Sequence, residues 1–152
     1  MSLPKLFGFG YVLLQKPLLI LPIYKATLST LKICNERYGN THHGRGKANA
    51  FRHALWNFII CRKTLKFTKN KQKSVNWTKK VVNYYEKVTK NELLDRAMDY
   101  HNNTEGRDYF LENFDELETK TIEKLQFLAK NAQKVAKIDD FGKLKGSLVY
   151  IE

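Results

Sequence analysis

Asn49-Ala50-Phe51-Arg52-His53-Ala54-Leu55-Trp56-Asn57-Phe58-Ile59-Ile60-Cys61-Arg62-Lys63-Thr64-Leu65 decides how this chain folds. It follows a glycine-rich loop, Tyr38 to Lys47, and reads as one long helix with Asn49 as its N-cap. On that helix Asn49, His53, Trp56, Asn57 and Ile60 share a stripe, and Arg52 lies one residue beside it. A single histidine on such a stripe is ordinarily a satisfied core residue. Two asparagines on the same stripe point instead to a polar pocket, because each buried polar group left unpaired costs roughly 1 to 3 kcal/mol. These groups must pair with one another, with a metal or with a substrate.

A second stretch, Met98-Asp99-Tyr100-His101-Asn102-Asn103-Thr104-Glu105-Gly106-Arg107, repeats the theme. Asp95, Asp99, Asn102, Asn103 and Arg107 fall on one helical face, whereas His101 is about 200 degrees round from Asp99. Asp99 with Asn102 or Asn103 offers oxygen ligands suited to calcium or magnesium. A mixed set of His53, Asp99 and one of His42, His43 or His101 suits a transition metal. Arg52 and Arg107 are candidates to grip a phosphate, or else ion pairs that lock two helices. Glu86 is a candidate general base or metal ligand if its helix faces the pocket.

Working outward, the 152 residues suit one domain with a real core, and three prolines with eight glycines favour long helices over a turn-rich sandwich. The expected class is all-α: one compact domain of about five helices with a short extended C-terminal tail. Helices are expected over Ile23 to Arg37, with Ala26, Leu28, Leu31 and Cys34 for burial, and from Asn49 to Leu65. Further helices are expected from a Ser74 cap to Val88, from an Asn91 cap to an interruption at Gly106, and from Glu112 to Lys137. Residues 1–24 form an apolar leading segment before a helical domain at 25–152. Gln15, Lys16, Pro17 and Pro22 interrupt its apolar run, so it is expected to pack on the domain or meet a surface. Cys34 and Cys61 lack Cys-x-x-Cys spacing and leave both thiol state and compartment open.

Net charge is +12, which suits an anionic partner: a nucleic acid, an acidic membrane surface or a phosphate-bearing substrate. Gly-x-Ser-x-Gly, Walker, His-Glu-x-x-His and dinucleotide motifs are all missing, so serine-hydrolase and nucleotide-switch chemistry lose their basis. The pattern His43-Gly44-x-Gly46, Asn49-Ala50-Phe51-Arg52-His53-Ala54-x-Trp56-Asn57 and Met98-Asp99-x-His101-Asn102-Asn103-x-x-Gly106-Arg107 resembles a poorly characterised family of bacterial helical domains. Its members occur alone or at the ends of secreted or toxin-like proteins. The ending Gly146-Ser147-Leu148-Val149-Tyr150 also fits, so the resemblance covers about residues 40 to 150. It implies an all-α fold and, in a toxin-like setting, an immunity or carrier protein as partner, but no established activity. Such members often carry Thr-Asp-x-His-Glu where this chain has Val82-Asn83-Tyr84-Tyr85-Glu86, so Asn83 and Tyr85 replace a carboxylate and an imidazole.

Three expectations follow. One is a divalent-metal hydrolase of a phospholipid, lipid-linked precursor or nucleic acid, with His53, Glu86, Asp99 and His101 as catalytic candidates and His53 and Asp99 as metal ligands. Arg52, Arg107, Asn49, Asn57, Asn102 and Asn103 would hold the phosphate or shape the shell. Another is a non-enzymatic module whose basic stretch Arg62 to Lys73, beside Trp77, Tyr84 and Tyr85, binds nucleic acid or anionic membrane. No base-reading motif is present, which argues against sequence-specific recognition. The last is a structural network of Arg52, His53, Asp99, His101 and Asn102 that registers two helices.

Overall fold

The computed structural model describes residues 3–89 and 92–152. Among these, six helices run in order: α1 (Leu3–Leu14), α2 (Ile20–Tyr38), α3 (Lys47–Thr68), α4 (Lys71–Thr89), α5 (Leu93–Asn113) and α6 (Glu118–Lys130). Turns of 3-10 helix occupy Pro17–Leu19, Gly39–His43 and Ile138–Lys143. Helix α3 is the axis of the molecule. Phe51, Ala54, Leu55, Phe58, Ile59, Ile60 and Cys61 are buried on all its sides, as a helix apolar all round must be. It packs against α5, α2, α4 and α6. The tail adds a two-residue strand β1 (Gln133–Lys134), paired in parallel with β2 (Val149–Tyr150).

Several local expectations are corrected. Helix α3 begins at Lys47 after an extended Gly46, so Asn49 lies inside its first turn rather than capping it. Asn70 caps α4, its Oδ1 accepting the Lys73 N–H at 2.9 Å. Ser74 is instead buried, its hydroxyl donating to the Cys61 carbonyl at 2.6 Å and bonded to Thr64. The expected cap at Asn91 falls outside the described residues. Gly106 does not interrupt α5. A Cβ there would stand 2.7 Å from Ala54 Cα and 2.8 Å from the Ala54 carbonyl carbon, so glycine is required by the close approach of α3. The long helix expected to reach Lys137 stops at Lys130, and its apolar spacing continues in extended chain, where Ala132 and Val135 are buried beside the tail.

The division expected at residue 24 falls inside α2, because Pro17 and Pro22 occupy first turns where a missing N–H breaks no helical bond. Of the residues expected to be buried there, Ala26 and Cys34 are, Leu31 is half-buried and Leu28 is exposed. Helix α1 folds back on α4. Gly8 lies directly beneath the Tyr84 hydroxyl, and Phe9 packs against Tyr84 and Tyr85 at centroid distances of 6.3 and 6.0 Å.

Candidate functional site

Three helices converge on one buried imidazole. His53 of α3 is 3% exposed, and Glu86 of α4 and Asp99 of α5 are fully buried. One donor atom from each of the three lies within 4.8 Å of the others. Glu86 Oε1 stands 3.4 Å from His53 Nδ1, and Asp99 Oδ1 stands 3.2 Å from Nε2.

A polar chain behind them fixes the imidazole tautomer. Arg107 can only donate, and its Nη1 gives a hydrogen to Asn57 Oδ1 at 2.7 Å. That sets the Asn57 amide, whose Nδ2 donates to Asn103 Oδ1 at 2.6 Å and to the His53 carbonyl at 3.0 Å. Asn103 Nδ2 in turn donates to Glu86 Oε1 at 3.2 Å. With Asn103 Oδ1 thereby an acceptor, His53 Nδ1 donates to it at 3.1 Å and Nε2 carries the lone pair. Arg52 Nη2 donates to that lone pair at 3.0 Å. Nε2 and the Asp99 carboxylate are both electron-rich and face each other across 3.2 Å. A positive species between or beside them suits this edge: a proton, the Arg52 guanidinium or a metal ion.

The imidazole is reached from one side. A cleft of about 490 Å³ is walled by Phe9 and Leu13 of α1, by Ile20, Ile23, Tyr24, Thr27, Thr30 and Leu31 of α2, and by Val81 and Tyr85 of α4. His43, Arg52, His53 and Trp56 complete its lining. Trp56 is held by its Nε1–H donating to Thr27 Oγ1 at 3.0 Å and by the Tyr85 ring at 5.6 Å. His43 and Arg52 are neighbours, with 3.4 Å between Nδ1 and Nη1. A depression of about 510 Å³ between α5, α6 and the tail, lined by Glu105, Asp108, Glu112, Lys124 and Lys145, holds none of these groups.

The remaining sequence candidates separate. His101 turns away from Asp99: its Nε2 donates to the Ser147 carbonyl at 2.8 Å, and its ring packs on Phe141 at 5.7 Å. Helix α5 stays regular, so a residue two positions on from Asp99 faces the tail. Asn102 also serves the tail, its amide bonding both the N–H and the C=O of Val149 at 2.9 Å. Arg107 is 3% exposed and committed to Asn57 and to Thr104, so it does not join Arg52 on one phosphate. Burial pulls its proton affinity below the ordinary arginine value. Asn49 is fully buried one turn before His53, and its amide has no hydrogen-bond partner among the described residues.

Trp77, expected beside the basic stretch, is buried rather than offered as a stacking surface. His42 is also buried, bonded to Asn35 Oδ1 at 2.8 Å, and burial lowers its pKa. Both cysteines are free and buried, and burial pushes each thiol up to about 12. Sequence reasoning missed His43, Thr27, Tyr85 and the apolar wall as parts of one cleft. The available signal was the apolar spacing of Ile20, Ile23, Tyr24, Thr27 and Leu31.

No curated protein and no solved structure shows significant similarity to the chain. The profile of the family described as domain of unknown function DUF6973 matches residues 10–133, which take in α2 to α5 whole with His53, Glu86 and Asp99, and the chain belongs to that family.

Proposed function

We propose that the protein is a metal-assisted hydrolase of a phosphate-containing substrate. The observation that carries this reading is the meeting of His53 Nε2 with the Asp99 carboxylate beside the cleft that His53 lines, with Glu86 gathered to the same imidazole on its Nδ1 side. An imidazole nitrogen with a carboxylate, His53 Nε2 and Asp99, fits a divalent ion such as manganese, zinc or iron better than calcium, which prefers an all-oxygen cage. Such an ion would polarise a phosphoryl oxygen and lower the pKa of a water.

The chain's own residues supply the rest. Asn103 and Glu86 take the Nδ1 hydrogen and hold the Nε2 lone pair toward the reaction edge. Arg52, half-buried in the cleft lining with His43 beside it, is placed to leave Nε2 and neutralise charge growing on the phosphate. Arg107 anchors the asparagine pair from behind and touches no substrate.

A second reading rests on a specific observation: Arg107, Asn57, Asn103 and His53 satisfy one another across α3 and α5 without any ligand. On that reading the cluster is a structural bolt and the basic surface does the binding.

Thermal melting after chelation, then with calcium, magnesium, manganese and zinc restored singly, separates the two. An ion at one hundred times its Kd stabilises by about 2.7 kcal/mol. The hydrolase reading expects that rise with one ion in the wild type, its loss in His53→Ala and Asp99→Asn, and phosphodiester turnover with the same ion. If every ion leaves the melt unchanged and no phosphoester is cleaved, the structural reading stands instead.

A further inference from the structure

We infer that the outer face of α1 and α2 docks on an anionic lipid surface and that the cleft behind it takes the chain of one phosphate-headed lipid. The docking part stands on the surface itself. The substrate part rests on the hydrolase reading.

The outer face is apolar where a soluble helix is polar. Phe7, Tyr11 and Leu14 of α1, Leu18 at the corner, and Leu21 and Tyr24 of α2 are each more than half exposed, reaching 71% at Phe7 and 77% at Leu18. On α1 the spacing is i, i+4, i+7, a continuous stripe. An exposed apolar patch of this extent marks an interaction site. By length and composition the run Pro17–His43 can cross a membrane. Its Ile23, Ala26, Thr30 and Cys34 nevertheless pack into the core, so this helix presents one face outward while its other face builds the fold.

Charge selects the occupant. Residues 1–85 carry sixteen Lys and Arg against a single acid, Glu36, whereas residues 86–152 carry eleven against fourteen. All four helices that wall the cleft lie in, or almost wholly in, the first part. At the α1–α2 corner, next in sequence to Leu14 and Leu18, Gln15 and Lys16 meet Lys73, Asn76, Trp77 and Lys80 around a recess of about 400 Å³. Lys16 Nζ lies 5.2 Å over the Trp77 ring, and Lys80 donates to Gln15 Oε1. Among the described residues neither Lys16, Lys73 nor Lys80 has a carboxylate within ion-pair distance. Apolar side chains flanked by unneutralised lysines combine the two signals that hold a protein on an acidic bilayer, insertion and Coulomb attraction.

The cleft is continuous with that face, since Tyr24 belongs to both. Its lining is largely apolar, Phe9, Leu13, Ile20, Ile23, Leu31 and Val81 among it, and His43, Arg52 and His53 stand together, Arg52 bonded to both imidazoles. That division matches a molecule with a hydrocarbon chain and a phosphate head, the head meeting Arg52. A nucleic acid, charged along its length, would leave the apolar wall unmatched.

Flotation with vesicles of phosphatidylcholine alone, or mixed equally with phosphatidylglycerol, tests the docking. The full chain should float with the mixed vesicles only, and less so as salt rises. Leu14→Asp with Leu18→Asp should abolish flotation, and Lys16→Gln, Lys73→Gln and Lys80→Gln should each weaken it about fivefold. All of these exposed positions should leave the melting temperature in place. Equal flotation with neutral vesicles, none with either, or unchanged flotation of the double aspartate variant would overturn the inference. Self-association that the double variant abolishes, without vesicle binding, would assign the face to a second copy and overturn it equally. Turnover of a water-soluble phosphodiester without vesicle binding sinks the docking and spares the hydrolase. Vesicle binding without turnover of phosphatidylglycerol or of any soluble phosphoester sinks the hydrolase and the substrate assignment, and spares the docking.

Discussion

Gly106→Ala places a methyl group where α5 crosses α3 most closely, and the expected result runs against helix propensity. In a helix interior alanine is favoured over glycine by about 1 kcal/mol. Here the new Cβ would lie 2.7 Å from Ala54 Cα, 2.8 Å from the Ala54 carbonyl carbon and nearer still to its oxygen, where ordinary contact begins at 3.4 Å. The obstacle is backbone, so no side chain can rotate away, and the helices must part by about 1 Å. Overpacking of this kind costs roughly 1 to 3 kcal/mol. The same displacement lengthens the bonds that cross this interface, Asn57 to Asn103 at 2.6 Å, Arg107 to Asn57 at 2.7 Å and His53 to Asn103 at 3.1 Å. Losing even one of them, with Arg107 left buried, adds roughly 1.5 to 3 kcal/mol. Net of propensity, we expect a loss of about 2 to 4 kcal/mol, or a fall in Tm on the order of 5 to 15 °C for a chain of this size. Urea and thermal unfolding, followed by circular dichroism, measure it. A variant equal to the wild type, or more stable by the propensity increment, would refute the close-packed α3–α5 crossing and with it the positioning of the site.

Two further outcomes are expected. Asn102→Ala strips both backbone groups of Val149 of their partner and should cost about 2 kcal/mol locally. Hydrogen exchange at Val149 should accelerate while α3 stays protected, and unchanged protection at Val149 would show that the latch is not what holds the tail. His42 is buried and held neutral, its pKa lowered by burial. The unfolded chain therefore binds the proton more readily, so this stabilising contribution is full above the ordinary histidine value of about 6.5 and is lost as pH falls through the lower folded value. Urea midpoints measured from pH 8 down to 5 should decline, and His42→Gln should flatten that decline. An identical slope in the variant would remove His42 as a source.

What the sequence could disclose was periodicity and residue type. Helix α3 is legible because its polar residues recur on one stripe, and His53 and Asp99 stand out because such groups are costly to bury, whereas Glu86 is a candidate only if its helix faces the pocket. His101 was placed off the Asp99 face by rotation alone, yet only the tail's position reveals that Ser147 receives its hydrogen. Gly106 misled because glycine in a helix has two meanings, an end or a close neighbour, and the neighbour lies 52 positions away at Ala54. The spacing of Ala132 and Val135 imitates a helix because an extended segment pinned on one side also buries residues at intervals. The cleft escaped notice because it is made by α1 and α2 leaning on α3 and α4, and no single segment contains it.

The grip of Asn102 on Val149 also sets an order of assembly. A side-chain amide there plays the part of a neighbouring strand, supplying one donor and one acceptor to a β2 that has only two residues. That surrogate strand exists only once α5 has wound far enough to aim the amide, and 47 positions of chain separate the two partners. The parallel pairing of β1 with β2 therefore closes after the helices have docked. The C-terminal segment should behave as its own low-stability unit, opening and reclosing many times for each global unfolding of the helical body.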